Sequence, residues 1–229
     1  MCCDSTKFYK NKSSDFWTGS YIKEVREKMS AGINLSECNN CYKTEKNNAL
    51  SLRQHYNSIF KEYNTEELPN VADLDFSNLC NLKCIMCNAD RSSQWAKDIN
   101  KNKETNGVLS ISKDKIDNLY GISKNLKHLT IQGGEPSLIP EYLYYFDLLK
   151  KDGIISNITL DCITNLTNIN NRFYEILNNF KKVNINVSID SYDLSNDYIR
   201  YPSKFGKIEE NIFNGSTMDA LSSTLFESP

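Results

Sequence analysis

The chain has 229 residues, 39% of them hydrophobic and 24% charged, with a formal net charge of −2 and a mean hydropathy of −0.54. That length holds one domain of barrel size, or a medium domain with a small one, and the apolar fraction lies above the disordered regime. No run of about 18 apolar residues occurs, which argues against a membrane-spanning helix, and the near-neutral balance argues against a dedicated nucleic-acid or anionic-membrane surface.

The start, Met1-Cys2-Cys3-Asp4, lacks the basic and apolar regions of a signal peptide, so a cytoplasmic protein with reduced thiols is expected. A first helix is predicted over residues 14–30, where Trp17, Tyr21, Val25 and Met29 share a face. Ser14 or Asp15 would cap it and Gly32 would end it. Cys38-Asn-Asn-Cys41 follows, then a second helical stretch with Leu52, Tyr56, Ile59 and Tyr63 at helical spacing. Pro69 and Asn70 break the chain, dividing a cysteine-containing helical module, residues 1–68, from a second domain, 69–229.

Beyond the break the pattern becomes strand–helix alternation. Strands are predicted over 71–76, 126–132, 158–163 and 183–190, and helices over 90–101, 114–122, 139–151, 170–180 and 203–214. About four strand–helix units of this kind imply an α/β fold of parallel strands in a barrel-like or half-barrel sheet. After Gly215 no convincing strand is predicted. The carboxyl ends of the strands, where such folds bind ligands, collect the polar signals. They are the cysteine loop, Gly133-Gly134-Glu135-Pro136, Thr164-Asn165, and Ser188 with Asp190.

Seven of the eight cysteines lie before residue 90 in three groups: Cys2 and Cys3, Cys38 and Cys41, and Cys80, Cys84 and Cys87. Such grouping in a reducing compartment reads as metal or iron–sulfur ligation. Cys162 stands alone in an apolar stretch and reads as a core residue, while His55 and His128 have no partner motif and read as structural. In Cys80-Asn-Leu-Lys-Cys84-Ile-Met-Cys87, three thiolates fall within eight residues. They suit three irons of a [4Fe–4S] cubane, leaving the fourth open, and suit a four-ligand structural zinc poorly.

This cysteine motif, with the Gly133-Gly134-Glu135-Pro136 turn, resembles the radical S-adenosylmethionine (radical SAM) superfamily. The resemblance implies a partial (βα)6 TIM-like half-barrel core, truncated here after about four of six units. It also implies a [4Fe–4S] cluster on Cys80, Cys84 and Cys87, whose open iron chelates SAM. Backbone carbonyls of Gly133–Glu135 would meet the SAM amino group, with Glu135 shaping the turn and Pro136 completing the motif. Met86 would lie beside the adenine. Thr164 and Asn165 match the family's third-strand ending, with a helix N-cap as the plainer reading. Ser188 and Asp190 would lie near the ribose and carboxylate, and Arg200 would pair with the carboxylate, against a plain cap for Asp190 and a solvated surface arginine for Arg200.

Cys2, Cys3, Cys38 and Cys41, with Val25, Arg26, Met29, Glu45 and Arg53, resemble the twitch module, a smaller relative of the SPASM domain, placed amino-terminally. The likeness implies an auxiliary iron–sulfur cluster, with zinc as the rival and a redox dithiol behind it. Reductive cleavage of SAM is the activity implied, with a reductant such as flavodoxin or ferredoxin. The substrate is unidentified, with a peptide or protein suggested by analogy and sugars or nucleotide-linked molecules open. A non-catalytic iron–sulfur or SAM-binding protein and a zinc-stabilised binding protein are the alternatives.

Overall fold

The computed structural model describes residues 17–59, 68–168 and 170–215. The chain forms two compact units, Met1–Pro69 and Asn70–Pro229. Cys2 and Cys3, the caps Ser14 and Asp15, Tyr63 and the segment after Gly215 lie outside the described residues.

In the first unit, helix α1 spans Ser20–Ser30 and starts later than its periodicity suggests, with Gly19 at its N-cap and Trp17 before its first turn. It ends as expected. Gly32 adopts φ +72°, and the amides of Gly32 and Ile33 turn back to the carbonyls of Met29 and Lys28. Helix α2 (Asn39–Lys46) begins within the Cys38–Cys41 pair instead of after it. Val25, Leu35 and Cys38 form the small core, with Tyr21, Met29 and Tyr42 against it. Helix α3 (Leu52–Ile59) has its periodic residues Leu52 and Ile59 about half exposed, so that face does not join this core.

The second unit is an α/β layer. Strands β1 (Val71–Asp75), β2 (His128–Gln132), β3 (Thr159–Thr164) and β4 (Lys182–Val187) pair in parallel in the order β1-β2-β3-β4. Each new strand joins the same edge, the winding of a barrel rather than a doubly wound sheet. Helices α4 (Ser93–Asp98), α5 (Lys113–Gly121), α6 (Pro140–Lys151), α7 (Asn171–Leu177), α8 (Leu194–Ile199) and α9 (Phe205–Gly215) fill the crossovers and the end of the unit.

Period-two alternation divides the two faces of the sheet. Leu129, Ile131, Leu160, Cys162 and Val183 point into the core, where Tyr142, Tyr145, Phe146, Phe173 and Leu177 also lie. Phe76 stacks on Tyr142 at 4.7 Å between ring centroids. Cys162 is fully buried, as its apolar setting implies. The other face is polar. Asp73, Thr130, Asp161 and Asn184 lie side by side in register across it, and Asp75, Gln132 and Asn186 continue it toward the carboxyl ends. All are partly or fully exposed.

Candidate active site at the carboxyl edge of the sheet

The site grows from the loop after β1. Asn78 is buried and pins it: its amide donates to the carbonyls of Ala89 and Gly107, at 3.1 and 3.0 Å, and its side-chain oxygen accepts from Leu109 N at 2.7 Å. Cys80, Cys84 and Cys87 follow, and all three are free thiols. Burial pushes the Cys80 thiol up to about 12. The Leu82 amide, which donates to its sulfur at 3.4 Å, acts the other way, and the negative fields of Glu135, Cys84 and Cys87 add to the rise. Burial also raises Cys84, while the Arg200 guanidinium lowers it. Ile85 and Met86, between the second and third cysteines, are exposed.

The glycine turn packs directly beneath this loop. Gly133 adopts φ +120°, and a Cβ there would sit 2.5 Å from Asp75 Oδ1 and 2.7 Å from the Ser77 carbonyl. A Cβ on Gly134 would collide with the Leu79 carbonyl. The close approach lets Gly134 N donate to Ser77 O at 2.9 Å and Glu135 N to Leu79 O at 2.7 Å. Only glycine permits this.

Glu135 is 1% exposed and is the hub of the site. Its Oε1 accepts from Ser137 N, Ser137 Oγ and Thr164 Oγ1, and its Oε2 accepts from Asn165 N at 2.7 Å. Burial raises its carboxyl pKa and the four donors hold it back. Pro136 is buried and opens a short 3-10 turn. Thr164 and Asn165 therefore serve the carboxylate and not a helix cap. Asn170 caps α7, accepting from Phe173 N at 3.2 Å. Asn165 Nδ2 continues the network to Asn81 Oδ1 at 3.0 Å, and Asn81 Nδ2 donates to Thr167 Oγ1 at 2.8 Å. The GGEP turn, the end of β3 and the cysteine loop are thereby one connected unit.

Strand β4 ends at Val187, so Ser188 and Asp190 lie beyond it and not at its end. Ser188 N donates to Thr164 O at 2.8 Å. Asp190 lies 2.6 Å from Arg200 Nε, and the Arg200 side chain is only 16% exposed. Neither reads as its plain alternative: Asp193 caps α8 in place of Asp190, and Arg200 is not a solvated surface residue. The Arg200 Nε–H is not aligned on the carboxylate, and Asn196 Nδ2, Arg200 Nε and Ser203 Oγ are all buried without a hydrogen-bond partner.

Asn78, Arg91 (on Asp75 at 2.8 Å) and Asn81 build the site without any periodic or motif signal that marks them. The Ser92-Ser93 pair could have been read as a helix cap, and Ser92 is the cap of α4, accepting from the amides of Gln94 and Trp95. His128 lies at the start of β2, away from this edge, paired with Asp161 at 2.6 Å.

The sequence model of the radical SAM superfamily matches residues 74–213. The chain belongs to the radical SAM superfamily. Among solved structures it is similar to native anSMEcpe with bound AdoMet, with 22% identity, 65% of this chain and 41% of that one covered, and a TM-score of 0.47. It is also similar to Streptococcus suis SuiB bound to S-adenosylmethionine, with 18% identity, coverage of 91% and 42%, and a TM-score of 0.44. The chain spans about two fifths of the length of these proteins. No curated protein matches it.

The donor set fits the superfamily's cofactors. Among the described residues no three His, Cys, Asp or Glu side chains are grouped to hold a single metal ion. A cubane asks for something wider, because each thiolate binds a different iron. The half-buried Arg200 guanidinium, whose charge lowers the Cys84 thiol, fits an anionic group beside that cysteine. Cys38 is buried and Cys41 half-buried at the start of α2, but Cys2 and Cys3, their expected partners, are outside the described residues. No helix among the described residues is long and apolar enough to cross a membrane.

Proposed function

We propose that the chain is a radical SAM enzyme whose Cys80, Cys84 and Cys87 hold a [4Fe–4S] cluster with one iron left for SAM. When bound, cluster and SAM supply reductive cleavage of the sulfonium, giving a 5′-deoxyadenosyl radical that takes a hydrogen atom from substrate. The chain's residues bind and orient. Carbonyls of Gly133–Glu135 would meet the SAM amino group, the Glu135 carbonyl also accepting from Leu138 N at 2.9 Å. Glu135 holds that turn to the end of β3 through its carboxylate and to the loop after β1 through its amide. Arg200, 2.6 Å from Asp190 at Nε and close enough to Cys84 to lower its thiol, would supply the positive charge for the SAM carboxylate. Ser188, tied by its amide to Thr164 O, would lie near the ribose, and Met86 offers an exposed thioether to the adenine.

The single observation that carries this reading is the Glu135–Thr164–Asn165–Asn81 network, which joins the GGEP turn to the cysteine loop. The amino-terminal unit is a twitch-like module in which Cys38 and Cys41 share an auxiliary cluster with Cys2 and Cys3. The substrate is a peptide or protein, the reductant a flavodoxin or ferredoxin, and the compartment the cytoplasm.

Anaerobic reconstitution with iron and sulfide, followed by dithionite and SAM, tests the reading. 5′-Deoxyadenosine is expected from the wild type and not from Cys84→Ala. A cluster that forms without product supports a SAM-binding role without catalysis. Zinc with no sulfide overturns the proposal.

A further inference from the structure

The loop that carries the three thiols is held by four consecutive side chains at the start of α4, and every one of them binds the loop's main chain. Ser92 Oγ donates to Leu82 O at 2.6 Å. Ser93 Oγ accepts from Cys80 N and donates to Cys80 O, both at 3.2 Å. Gln94 Nε2 donates to Cys80 O at 3.3 Å, and Trp95 Nε1 donates to Cys84 O at 3.0 Å. On its other side the loop's amides are taken by the end of α8: Lys83 N donates to Tyr201 O at 2.6 Å and Ile85 N to Ile199 O at 2.9 Å.

The carbonyls of Cys80, Leu82 and Cys84 thus go one way and the amides of Lys83 and Ile85 the other, as in a strand between two neighbours. None of the four α4 side chains bonds a thiol; Cys80 Sγ accepts from Leu82 N and Cys87 Sγ donates to Asn88 O at 3.7 Å, so the clamp leaves the sulfurs to ligation. Cys84 O also accepts from Cys87 N at 2.9 Å. The carbonyl that Trp95 holds is therefore the corner that sets the direction of both the second and the third cysteine. Cys80 has two side chains on its main chain, whereas Cys84 has Trp95 alone.

We propose that Ser92-Ser93-Gln94-Trp95 is a clamp that shapes the cysteine loop in advance of cluster loading, with Trp95 the positioning residue for Cys84 and Cys87. The inference rests on the proposed ligation by Cys80, Cys84 and Cys87. A loop already ordered loses little chain freedom when it takes up its cluster, so the clamp acts on retention. Outer-shell partners of this kind also tune the metal centre: without the indole N–H, the partial negative charge on Cys84 O is left less compensated beside the cluster.

The test uses the full chain, reconstituted anaerobically with iron and sulfide, without SAM. Trp95→Phe keeps a smaller aromatic ring and removes the donor. Cluster loss to a chelator is followed by visible absorbance, and the midpoint potential by titration with electron paramagnetic resonance. Trp95→Phe is expected to lose its cluster about 10-fold faster than the wild type, within the range for outer-shell changes, with wild-type circular dichroism and a more negative potential. If Trp95→Phe does not fold, Ser93→Ala carries the same expectation at Cys80. Loss within twofold of the wild type, or faster loss with an unchanged potential, overturns the clamp. A wild-type chain that takes up no iron and sulfide overturns the proposed function and the clamp with it, whereas a wild-type cluster that the variant holds equally well overturns the clamp alone.

Discussion

Replacing Glu135 separates a structural carboxylate from a dispensable one. Two of its four donors are hydroxyls, which can rotate to other acceptors. The other two are the main-chain N–H groups of Ser137 and Asn165, which cannot. Each buried N–H left without an acceptor costs about 1–3 kcal/mol. Removing the buried carboxylate also ends its desolvation cost, which offsets part of the loss. Glu135→Ala should therefore cost about 3–4 kcal/mol, a large share of the roughly 5–15 kcal/mol that holds a domain folded. Glu135→Gln should cost less. Its amide oxygen can take the three donors that meet on Oε1, leaving its NH2 against the Asn165 amide alone, for about 2 kcal/mol. Urea titration of the full chain, with the slope unchanged, reads both values. An alanine variant within about 1 kcal/mol of the wild type, or a glutamine variant as costly as the alanine, would refute the argument.

Gly134→Ala drives a methyl group into the Leu79 carbonyl and should cost at least about 3 kcal/mol, the upper end for overpacking, whereas Gly153→Ala meets nothing within 4 Å at φ +69° and should cost about 1 kcal/mol; paired urea titrations compare them. The Tyr142 hydroxyl serves the carbonyls of Leu74 and Gln132, at 2.7 and 2.6 Å, so Tyr142→Phe should lose about 1 kcal/mol by the same assay. His128 holds the Asp161 carboxyl below its usual value, helped by Asn184 and opposed by burial. A depressed carboxyl contributes stability above its unfolded value and loses it as pH falls through the folded one. The wild type should therefore weaken below about pH 4, and Asp161→Asn should show a shallower fall in an acid titration followed by circular dichroism.

The parallel sheet was legible because its strands are short stretches of alternating apolar and polar residues between turn signals, and all four appear within a few residues of their expected places. Helix α8 was not legible. Leu194-Ser-Asn-Asp-Tyr-Ile199 is six residues long and mostly polar, and its existence depends on Asp193 capping Ser195 N and on Asn196 Oδ1 meeting Asp190 N. Helix α4 was predicted too long because nothing in its composition announces Asn100, which turns left-handed at φ 55°. At the site, the Glu135–Thr164–Asn165 cluster could be named from the sequence, since each residue sits at a strand end. The contacts of Asn81 with Asn165 and of Trp95 with Cys84 O could not, because hydrogen bonds across 84 and 11 residues leave no periodic mark.

The polar face of the sheet sets terms of admission for whatever settles on it. Asp73 is engaged by Gln132, and Asp161 by His128 and Asn184, but the face remains open to solvent. A greasy visitor that displaced that solvent would strand each carboxyl and amide it covered, at about 1–3 kcal/mol apiece. A visitor rich in amides or hydroxyls would exchange one set of hydrogen bonds for another at little net cost. Solvation itself thus sorts the molecules that can rest there, before any shape is matched.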